Sequence, residues 1–424
     1  MKILFVVPNF PKRIKEYLIL PSLELCIMST ELKSKGHTVN LIDMKINQLD
    51  EADYESELLK YNPDIICIED IPEVHSNSKK IIKLARKLFP NCLITMRGEL
   101  ASFEPKMILE RNPELDMVLR YETDYTLSEI IEHLNGDKNF KEINNIGFKE
   151  NGNIIITEIR KEPIDLDRLP RPDRKLYDID KYLLRDSETI VKSSRGCPGK
   201  CLFCIKTRFE SFRIFSMKRF CDEIEELQHL GFKSFFFSDD TFAFSMKRLN
   251  DFADEVKKRN LKVKWTSNLR IIDITDEKIK LMKELGAYRV FVGIETINKN
   301  SSKTINKNLA PEFIKEKIAI LKKYDMQFHA SFILGNPNDT EEDLEETIKF
   351  VKEIKPTLVT FNLIKIYPGL DLYNEPEKYG MILPDKYWFE KDEWASKVVM
   401  GTKDLPPELL EKWSRRLLWE FISD

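Results

Sequence analysis

The chain has 424 residues, of which 42% are hydrophobic and 33% charged, and its formal net charge at pH 7 is −3. These values fit a globular protein with two or three domains, and they exclude the strongly basic field of proteins that bind nucleic acid or anionic membranes. No apolar run is long enough to span a bilayer, and Pro8 and Pro11 interrupt the N-terminal apolar stretch too early for a signal peptide. The sequence therefore predicts a cytoplasmic protein.

Residues 1–140 alternate short apolar runs with helical patterns. Such alternation predicts a doubly wound, Rossmann-like parallel sheet covered on both faces. The segment PNFPKR stands after the first strand in place of a glycine-rich fingerprint, so no dinucleotide site is predicted there. The predicted strands are residues 3–7, 39–42, 65–68, 92–95 and 117–119, and the predicted helices are residues 20–35, 54–60, 76–89, 105–111 and 127–134.

Residues 141–185 are predicted to link two domains. A hairpin is expected within 143–156, because Asn151-Gly152 is a strong two-residue turn signal. Three prolines, at positions 163, 170 and 172, then indicate an extended stretch.

Residues 186–373 repeat a strand–helix unit. Six such units predict an incomplete parallel barrel, a (β/α)6 arrangement, with its chemistry at the C-terminal ends of the strands. Residues 374–424 lose this rhythm and are expected to form a helical cap that closes with a helix at 407–421. The predicted barrel strands are residues 190–193, 234–238, 263–267, 290–294, 328–333 and 357–363.

Three of the seven cysteines are predicted to be core residues. Cys26, Cys67 and Cys92 each lie in an apolar run, where a free thiol packs as a small hydrophobic group. An odd number of cysteines in a chain of this length argues against a disulfide framework.

The segment CPGKCLFC, after the first barrel strand, has a different character. It places Cys197, Cys201 and Cys204 on one short loop. Thiolates are the ligands of iron–sulfur clusters, and three of them leave one iron open to chelate a cosubstrate. The alternative is a zinc ion with a distant fourth ligand, although none of the five histidines has metal-pair spacing. Phe203 can shield a cluster and pack near an adenine, or it can be ordinary core.

In this position the loop resembles the signature of the radical S-adenosylmethionine (SAM) superfamily. The resemblance extends over residues 160–375, where LPRPDRKLYDIDKYL, FFFSDDTF, VFVGIET, SFILGNPNDTEED and IYPGLDLY follow in the family's order. It implies a radical SAM barrel with a [4Fe–4S] cluster held by the three cysteines. It also implies reductive cleavage of SAM to a 5′-deoxyadenosyl radical that abstracts hydrogen from a substrate.

Four residues after the second and third barrel strands are predicted to contact SAM or substrate. Asp239 and Asp240 are carboxylates that can meet the SAM amino group or the substrate, and Asn268 and Arg270 follow the third strand. Arg270 can pair with the SAM carboxylate through two parallel hydrogen bonds. The alternative for each charged side chain is a salt bridge that closes the barrel mouth.

Two further residues follow the fourth and fifth barrel strands. Glu295, in the segment GIE, is predicted to bind the ribose hydroxyls. Gly335, after the segment FIL, is predicted to let the backbone approach the adenosine closely.

The resemblance is to members with an N-terminal B12-binding-type domain, which implies cobalamin as a cofactor. The loops depart from that pattern: the chain has MRGEL after the fourth strand and YETD after the fifth, where the family often has glycines. Arg97 and Tyr121 are expected to take space that the corrin needs. His75, after the third strand, is a possible axial neighbour of the cobalt or a capping residue.

The function predicted first is a cobalamin-dependent methyltransferase acting on a poorly activated carbon or phosphorus centre. A second interpretation is a cobalamin-independent radical enzyme for ring formation, oxidation or coupling. A third is a methylthiotransferase with a second cluster on the N-terminal cysteines, and a fourth is a structural or sensing cluster without catalysis. The expected partners are a small-molecule substrate and an electron donor such as flavodoxin or ferredoxin, with no nucleic acid.

Overall fold

The computed structural model describes residues 1–10, 20–136, 139–185, 188–205, 211–383, 390 and 400–422. These residues form two compact units. The first contains Met1–Arg185 together with Glu390, and the second contains the other described residues from 188 onward. Within the described ranges no helix is long and apolar enough to cross a membrane.

The first unit is built on a seven-stranded sheet in the order β2-β1-β3-β4-β5-β6-β7. Strands β1 to β5 are parallel, and β6 and β7 continue the sheet as an antiparallel hairpin. The strands are β1 Lys2–Val7, β2 Thr38–Asp43, β3 Ile65–Asp70, β4 Leu93–Gly98, β5 Met117–Leu119, β6 Ile146–Glu150 and β7 Asn153–Ile156.

The Rossmann-like parallel sheet and the hairpin agree with the sequence predictions. Asn151 and Gly152 both have positive φ, as their two-residue turn requires. The hairpin extends the sheet of the first unit instead of standing apart in the linker, because β6 pairs with β5.

Helices cover both faces of this sheet. Helix α1 begins three residues later than predicted, because Ser22 caps it by accepting a hydrogen bond from the amide of Leu25. The helices are α1 Leu23–Ser34, α2 Tyr54–Leu58, α3 His75–Leu88, α4 Glu99–Phe103, α5 Pro105–Arg111, α6 Thr126–Asn135 and α7 Ile179–Arg185. Cys26, Cys67 and Cys92 are buried in this unit, which confirms that they pack in the core.

The second unit contains six parallel strands in the order β15-β14-β13-β12-β11-β8, the incomplete barrel expected from the sequence. Two small antiparallel pairs, β9 with β10 and β16 with β17, accompany it. The strands are β8 Glu188–Val191, β9 Ser194–Arg195, β10 Arg213–Ile214, β11 Ser234–Phe237, β12 Trp265–Leu269, β13 Ala287–Glu295, β14 Gln327–Leu334, β15 Leu358–Leu363, β16 Met381–Ile382 and β17 Gly401–Thr402.

Four helices of the second unit begin at polar caps, which set their starts in the chain. Ser216, Ser245, Thr275 and Thr340 each accept a hydrogen bond from the third amide of the helix that follows. The helices are α8 Met217–His229, α9 Met246–Arg259, α10 Asp276–Glu284, α11 Lys299–Thr304, α12 Pro311–Lys323, α13 Glu341–Ile354, α14 Asp371–Asn374 and α15 Pro407–Ile422. Short 3-10 helices in the two units span Pro72–Val74, Phe140–Glu142, Leu166–Arg168, Arg174–Leu176, Ile271–Asp273 and Pro376–Tyr379.

The closing helix α15 belongs to the core of the second unit. Trp413 and Leu417 pack with Leu344 of α13 and Leu334 of β14 in one hydrophobic cluster. The indole nitrogen of Trp413 donates a hydrogen bond of 2.9 Å to Glu341. The predicted C-terminal helix is therefore confirmed, and its buried tryptophan is a core residue.

Candidate active site

The three cysteines of the CPGKCLFC loop line one cavity of about 440 Å³. The amide of Gly199 donates to Sγ of Cys197 at 3.3 Å, and the amide of Cys204 donates to the carbonyl oxygen of Cys201 at 3.2 Å. A Cβ added at Gly199 would lie 3.3 Å from Sγ of Cys197 and 3.9 Å from Sγ of Cys201. The two thiols therefore lie close to Gly199, and a side chain at this position would crowd Cys197.

Three thiols on one short loop match the ligand set of a four-iron cluster with one open iron. A tetrahedral zinc ion would need a fourth ligand. In the part of the chain that the structure describes, no group of three or more His, Cys, Asp or Glu side chains is placed to hold one metal ion.

Two cations flank the thiols. Burial raises the pKa values of Cys197 and Cys201, and the charges of Arg270 and Lys307 act in the opposite direction. Such cations favour the thiolate form that binds iron. Arg270 lines the cavity as predicted, but its Nε and Nη2 already bind Asp273 at 2.7 and 2.9 Å. Arg270 therefore both lines the cavity and forms a salt bridge with Asp273.

Glu295 lies at the cavity on a strained backbone. Its φ is +70°, and the register of β13 against β14 shifts between Gly293 and Glu295. A non-glycine residue with positive φ persists only where its surroundings hold it. Lys307 Nζ lies 3.3 Å from Oε1 of Glu295 and donates to the carbonyl oxygen of Gly293 at 3.1 Å. Burial raises the pKa of Glu295, and Lys307 partly offsets that rise.

A buried polar network holds this backbone in place. Asn336 donates to the carbonyl oxygen of Ile333 at 2.7 Å and to Oδ2 of Asp339 at 3.0 Å. Asp339 also accepts from the hydroxyl of Thr296, next to Glu295, at 2.9 Å. Burial raises the pKa of Asp339 to about 6. The segment GNPND, residues 335–339, therefore fixes the backbone of the segment GIET, residues 293–296, through these hydrogen bonds.

The two aspartates after β11 differ in their surroundings: one lines the cavity and the other is buried outside it. Asp240 lines the cavity together with Asn268. Asp239 is fully buried and does not line it, which departs from the prediction of a SAM or substrate contact. Its carboxylate accepts from the amide of Ser193 at 3.1 Å and from the hydroxyls of Ser193 and Ser194. These bonds end strand β8 two residues earlier than predicted and fix the start of the cysteine loop.

Gly335 also has a different environment from the one predicted. Its φ is +89°, and an added Cβ would lie 2.7 Å from Leu410 Cδ1 and 3.3 Å from Ile364 Cγ2. The glycine allows the close approach of helix α15, and it does not line the cavity. Phe203 does line the cavity, with Lys307 Nζ 6.0 Å from the centre of its ring.

The cavity residues that the sequence analysis missed include Lys307, His329, Ser331 and Thr360. Lys307 comes from the loop after α11. In the same loop, the carbonyl oxygen of Ile305 accepts a hydrogen bond from the amide of Leu202 in the cysteine loop. His329 and Ser331 occupy alternate positions of β14, so both point to the same side of the strand. That alternation of polar residues in an otherwise apolar strand was the signal available in the sequence.

In the first unit, the side chains expected to obstruct a corrin are folded back onto the protein. Arg97 is 8% exposed, forms an ion pair with Glu69 and donates to the hydroxyl of Thr123 at 3.1 Å. The ring of Tyr121 packs edge-on against Phe103 with centres 5.9 Å apart. Both side chains are therefore engaged in contacts with residues of the first unit.

His75 is not placed as a cobalt ligand. It is fully buried, with Nδ1 3.0 Å from Oδ2 of Asp70 and Nε2 3.4 Å from Oε1 of Glu390. Burial alone would lower the pKa of His75, but the two carboxylates raise it to about 9. A protonated imidazole between carboxylates has no lone pair for a metal.

Both units match known families by sequence. Residues 14–131 match the B12 binding domain, and residues 191–351 match the Radical SAM superfamily.

Two relatives are similar to this chain over most of its length. A protein of Pyrococcus horikoshii named as an uncharacterized methyltransferase is 30% identical over 379 residues, which cover 88% of this chain and 82% of the relative. The anaerobic magnesium-protoporphyrin IX monomethyl ester cyclase of Rubrivivax gelatinosus is 28% identical, with 91% of this chain and 73% of the relative covered. The fold is similar to that of the radical SAM methyltransferase TsrM from Kitasatospora setae, solved with cobalamin and a [4Fe–4S] cluster. Its TM-score is 0.75 at 14% identity, with 92% of this chain and 85% of TsrM covered.

Proposed function

Because the chain belongs to the radical SAM superfamily, in the group that carries a B12-binding domain, we propose that it is a cobalamin-dependent methyltransferase acting on a poorly activated carbon or phosphorus centre. The chain is a radical SAM enzyme whose family cofactors are a [4Fe–4S] cluster, SAM and cobalamin. The observation that carries the proposal is the loop of three thiols opening into one cavity at the strand ends of the second unit. The methyltransferase name of the Pyrococcus horikoshii relative supports the choice of reaction.

The cavity offers groups for each part of SAM. When bound, the reduced cluster and SAM supply a 5′-deoxyadenosyl radical, and cobalamin supplies methyl transfer. Asp240 carries a carboxylate suited to the amino group of SAM, and Arg270 and Lys307 carry cations suited to its carboxylate. Glu295 is held by Lys307 with its carboxyl at the cavity, where it can accept the ribose hydroxyls. Phe203 and Leu309 contribute apolar surface to the same space.

In the first unit, cobalamin would rest on the loops that follow β3, β4 and β5. Because Asp70 and Glu390 hold His75, the described loops offer no histidine to the cobalt there. We expect the unit to bind the corrin through backbone and neutral groups, without a protein ligand from the loop after β3.

A second candidate is a radical enzyme of this family that does not methylate its substrate. The cyclase name of the Rubrivivax gelatinosus relative favours it. The methylthiotransferase alternative would need Cys26, Cys67 and Cys92 as cluster ligands. All three are buried in the first unit, where burial raises the pKa of Cys67 to about 11 and that of Cys92 to about 12. Such environments suit packing and not iron binding.

The decisive experiment is anaerobic purification with cobalamin supplied, followed by iron and cobalt analysis and reduction in the presence of SAM. The reductant can be a flavodoxin or ferredoxin system, the class of electron donor that we propose for the chain. A methyltransferase forms S-adenosylhomocysteine, the remnant of methyl transfer, together with 5′-deoxyadenosine. 5′-Deoxyadenosine without S-adenosylhomocysteine would favour the second candidate, and iron without cobalt would favour its cobalamin-independent form.

The cluster assignment has its own test. Replacing Cys197, Cys201 and Cys204 together by Ala should remove the iron and the formation of 5′-deoxyadenosine. Cys221→Ala is the matched control, because this buried thiol belongs to helix α8 and does not line the cavity. A full complement of iron in the triple variant would refute the assignment.

A further inference from the structure

Asp273 joins the segments that follow β11 and β12, and it lies behind the cavity without lining it. Its carboxylate accepts from Nε of Arg270 at 2.7 Å, from Nη2 of the same side chain at 2.9 Å and from the hydroxyl of Thr241 at 3.2 Å. Nζ of Lys278 lies 3.9 Å from Oδ1 of Asp273. Asp273 is 7% exposed and Thr241 is fully buried, so water competes little for these bonds.

A second hydrogen bond connects the same two segments. The side-chain amide of Asn268 donates to the carbonyl oxygen of Asp239 at 2.9 Å. Asp240 lies between Asp239 and Thr241 in the chain, and both of these neighbours are therefore bonded to the segment after β12. These bonds fix the backbone of Asp240 relative to Arg270, although the two residues are 30 positions apart.

The ion pair with Asp273 leaves one edge of the Arg270 guanidinium for a ligand. The guanidinium carries five N–H donors, and the pair uses the one on Nε and one on Nη2. The end of the group, formed by Nη1 and the second N–H of Nη2, can hold another carboxylate through two parallel bonds. Arg270 lines the cavity, and Nη1 is accessible to solvent there.

We propose that Asp273 is a positioning residue for the amino-acid part of SAM. It fixes the plane of the Arg270 guanidinium, and through Thr241 it fixes the chain beside Asp240. The cation and the carboxylate that face the two charges of SAM are thereby held at a set separation before SAM binds. The inference rests on the proposed function, because that proposal gives the SAM carboxylate to Arg270 and its amino group to Asp240.

The test compares two probes on the cluster-loaded full chain, S-adenosylhomocysteine and 5′-methylthioadenosine. The first carries the whole amino-acid part of SAM, and the second has only a methyl group on its sulfur. Equilibrium dialysis of each radiolabelled probe gives its dissociation constant. Asp273→Asn keeps the shape of the side chain, but it removes the charge and turns an amide N–H towards Arg270. We expect this variant to bind S-adenosylhomocysteine roughly five- to twentyfold more weakly and 5′-methylthioadenosine less than about twofold more weakly.

Three further variants connect the effect to the bonds of Asp273. Thr241→Val removes the hydroxyl that Asp273 accepts and should weaken S-adenosylhomocysteine binding by roughly two- to fivefold, whereas Thr241→Ser keeps a hydroxyl and should bind as the unaltered protein does. Asp276→Asn is the matched control, because this carboxylate is exposed and pairs with Lys323 instead. It should leave both dissociation constants unchanged. Iron content per chain shows whether each variant is folded.

Unchanged binding of S-adenosylhomocysteine in Asp273→Asn would overturn the proposal. An equal loss for the two probes would overturn it as well, because a residue that only stabilises the fold affects both. If Asp273→Asn loses its iron, the comparison of Thr241→Val with Thr241→Ser decides in the same way. SAM cleavage by the unaltered protein tests the proposed function separately. Cleavage without a probe-selective loss in the variants would refute only the role of Asp273, whereas a selective loss without cleavage would refute only the radical reaction.

Discussion

Lys307→Met removes the cation that faces the carboxyl group of Glu295. The two side chains are 16% and 10% exposed, so the pair is largely but not fully shielded from water. Breaking a buried ion pair costs about 3–5 kcal/mol when the remaining charge is left alone. Because some water reaches this pair through the cavity, we expect the free energy of unfolding to fall by about 2–4 kcal/mol at pH 8.

The loss should depend on pH with a defined sign. Burial raises the pKa of Glu295 above 4.5 in the folded chain, and removing Lys307 removes the main group that lowers it. The folded variant therefore keeps a proton that the unfolded chain releases, and its stability falls as the pH rises from about 4.5. Near pH 5 the carboxyl group is protonated in part, so the difference from the unaltered protein is smaller there.

Urea unfolding at pH 5 and pH 8, under anaerobic reducing conditions, measures both effects. Lys200→Met is the matched control, since this lysine lines the same cavity but is exposed, and it should change stability by no more than about 0.5 kcal/mol. Adding Glu295→Gln to Lys307→Met should restore most of the loss, because no buried charge then remains. An equal loss at the two pH values, or a double variant as unstable as the single one, would refute the reasoning.

Two further substitutions test the supports of the site. Asp239→Asn should lower the free energy of unfolding by about 2–3 kcal/mol and reduce iron incorporation, because the side-chain amide cannot accept all the hydrogen bonds that hold the start of the cysteine loop. Iron analysis of this variant beside Asp240→Asn, the control, measures the effect. Full iron in both variants would contradict the prediction. Gly286→Ala should lower the free energy of unfolding by about 3 kcal/mol or more, because the added Cβ would lie 1.8 Å from the carbonyl oxygen of Val263. Gly152→Ala is the control: this glycine also has positive φ but faces open space, so the substitution should lower the free energy of unfolding by only about 1–2 kcal/mol. Similar losses for the two variants in urea unfolding would show that the contact with Val263 is not the cause.

Features that depend on neighbouring residues were predicted correctly from the sequence. Apolar runs bounded by turn residues located the strands of both sheets, and the hairpin at Asn151-Gly152 followed from its turn chemistry. The cysteine loop was equally plain, because three thiols within eight residues carry their chemistry in their spacing. These features depend on neighbours in the chain, which a sequence displays directly.

Strand ends were less certain, and with them the direction of side chains. Asp239 and Asp240 are adjacent, yet one holds Ser193 and the other faces the cavity. Successive residues at the end of a strand point to opposite sides, so an error of one residue exchanges their roles. The sequence identified the pair of carboxylates, and only the fold separated them.

The rest of the site was decided by contacts between distant segments. Lys307 and Glu295 form an ion pair although a helix lies between them in the chain. Gly335 packs closely against helix α15, which begins more than 70 residues later. His329 is recognisable as a cavity residue only once β14 is set beside β15. The sequence by itself determined the family chemistry and the positions of the strands along the chain. Tertiary structure decided which side chains share the cavity, because burial and ion pairing depend on distances that no local pattern contains.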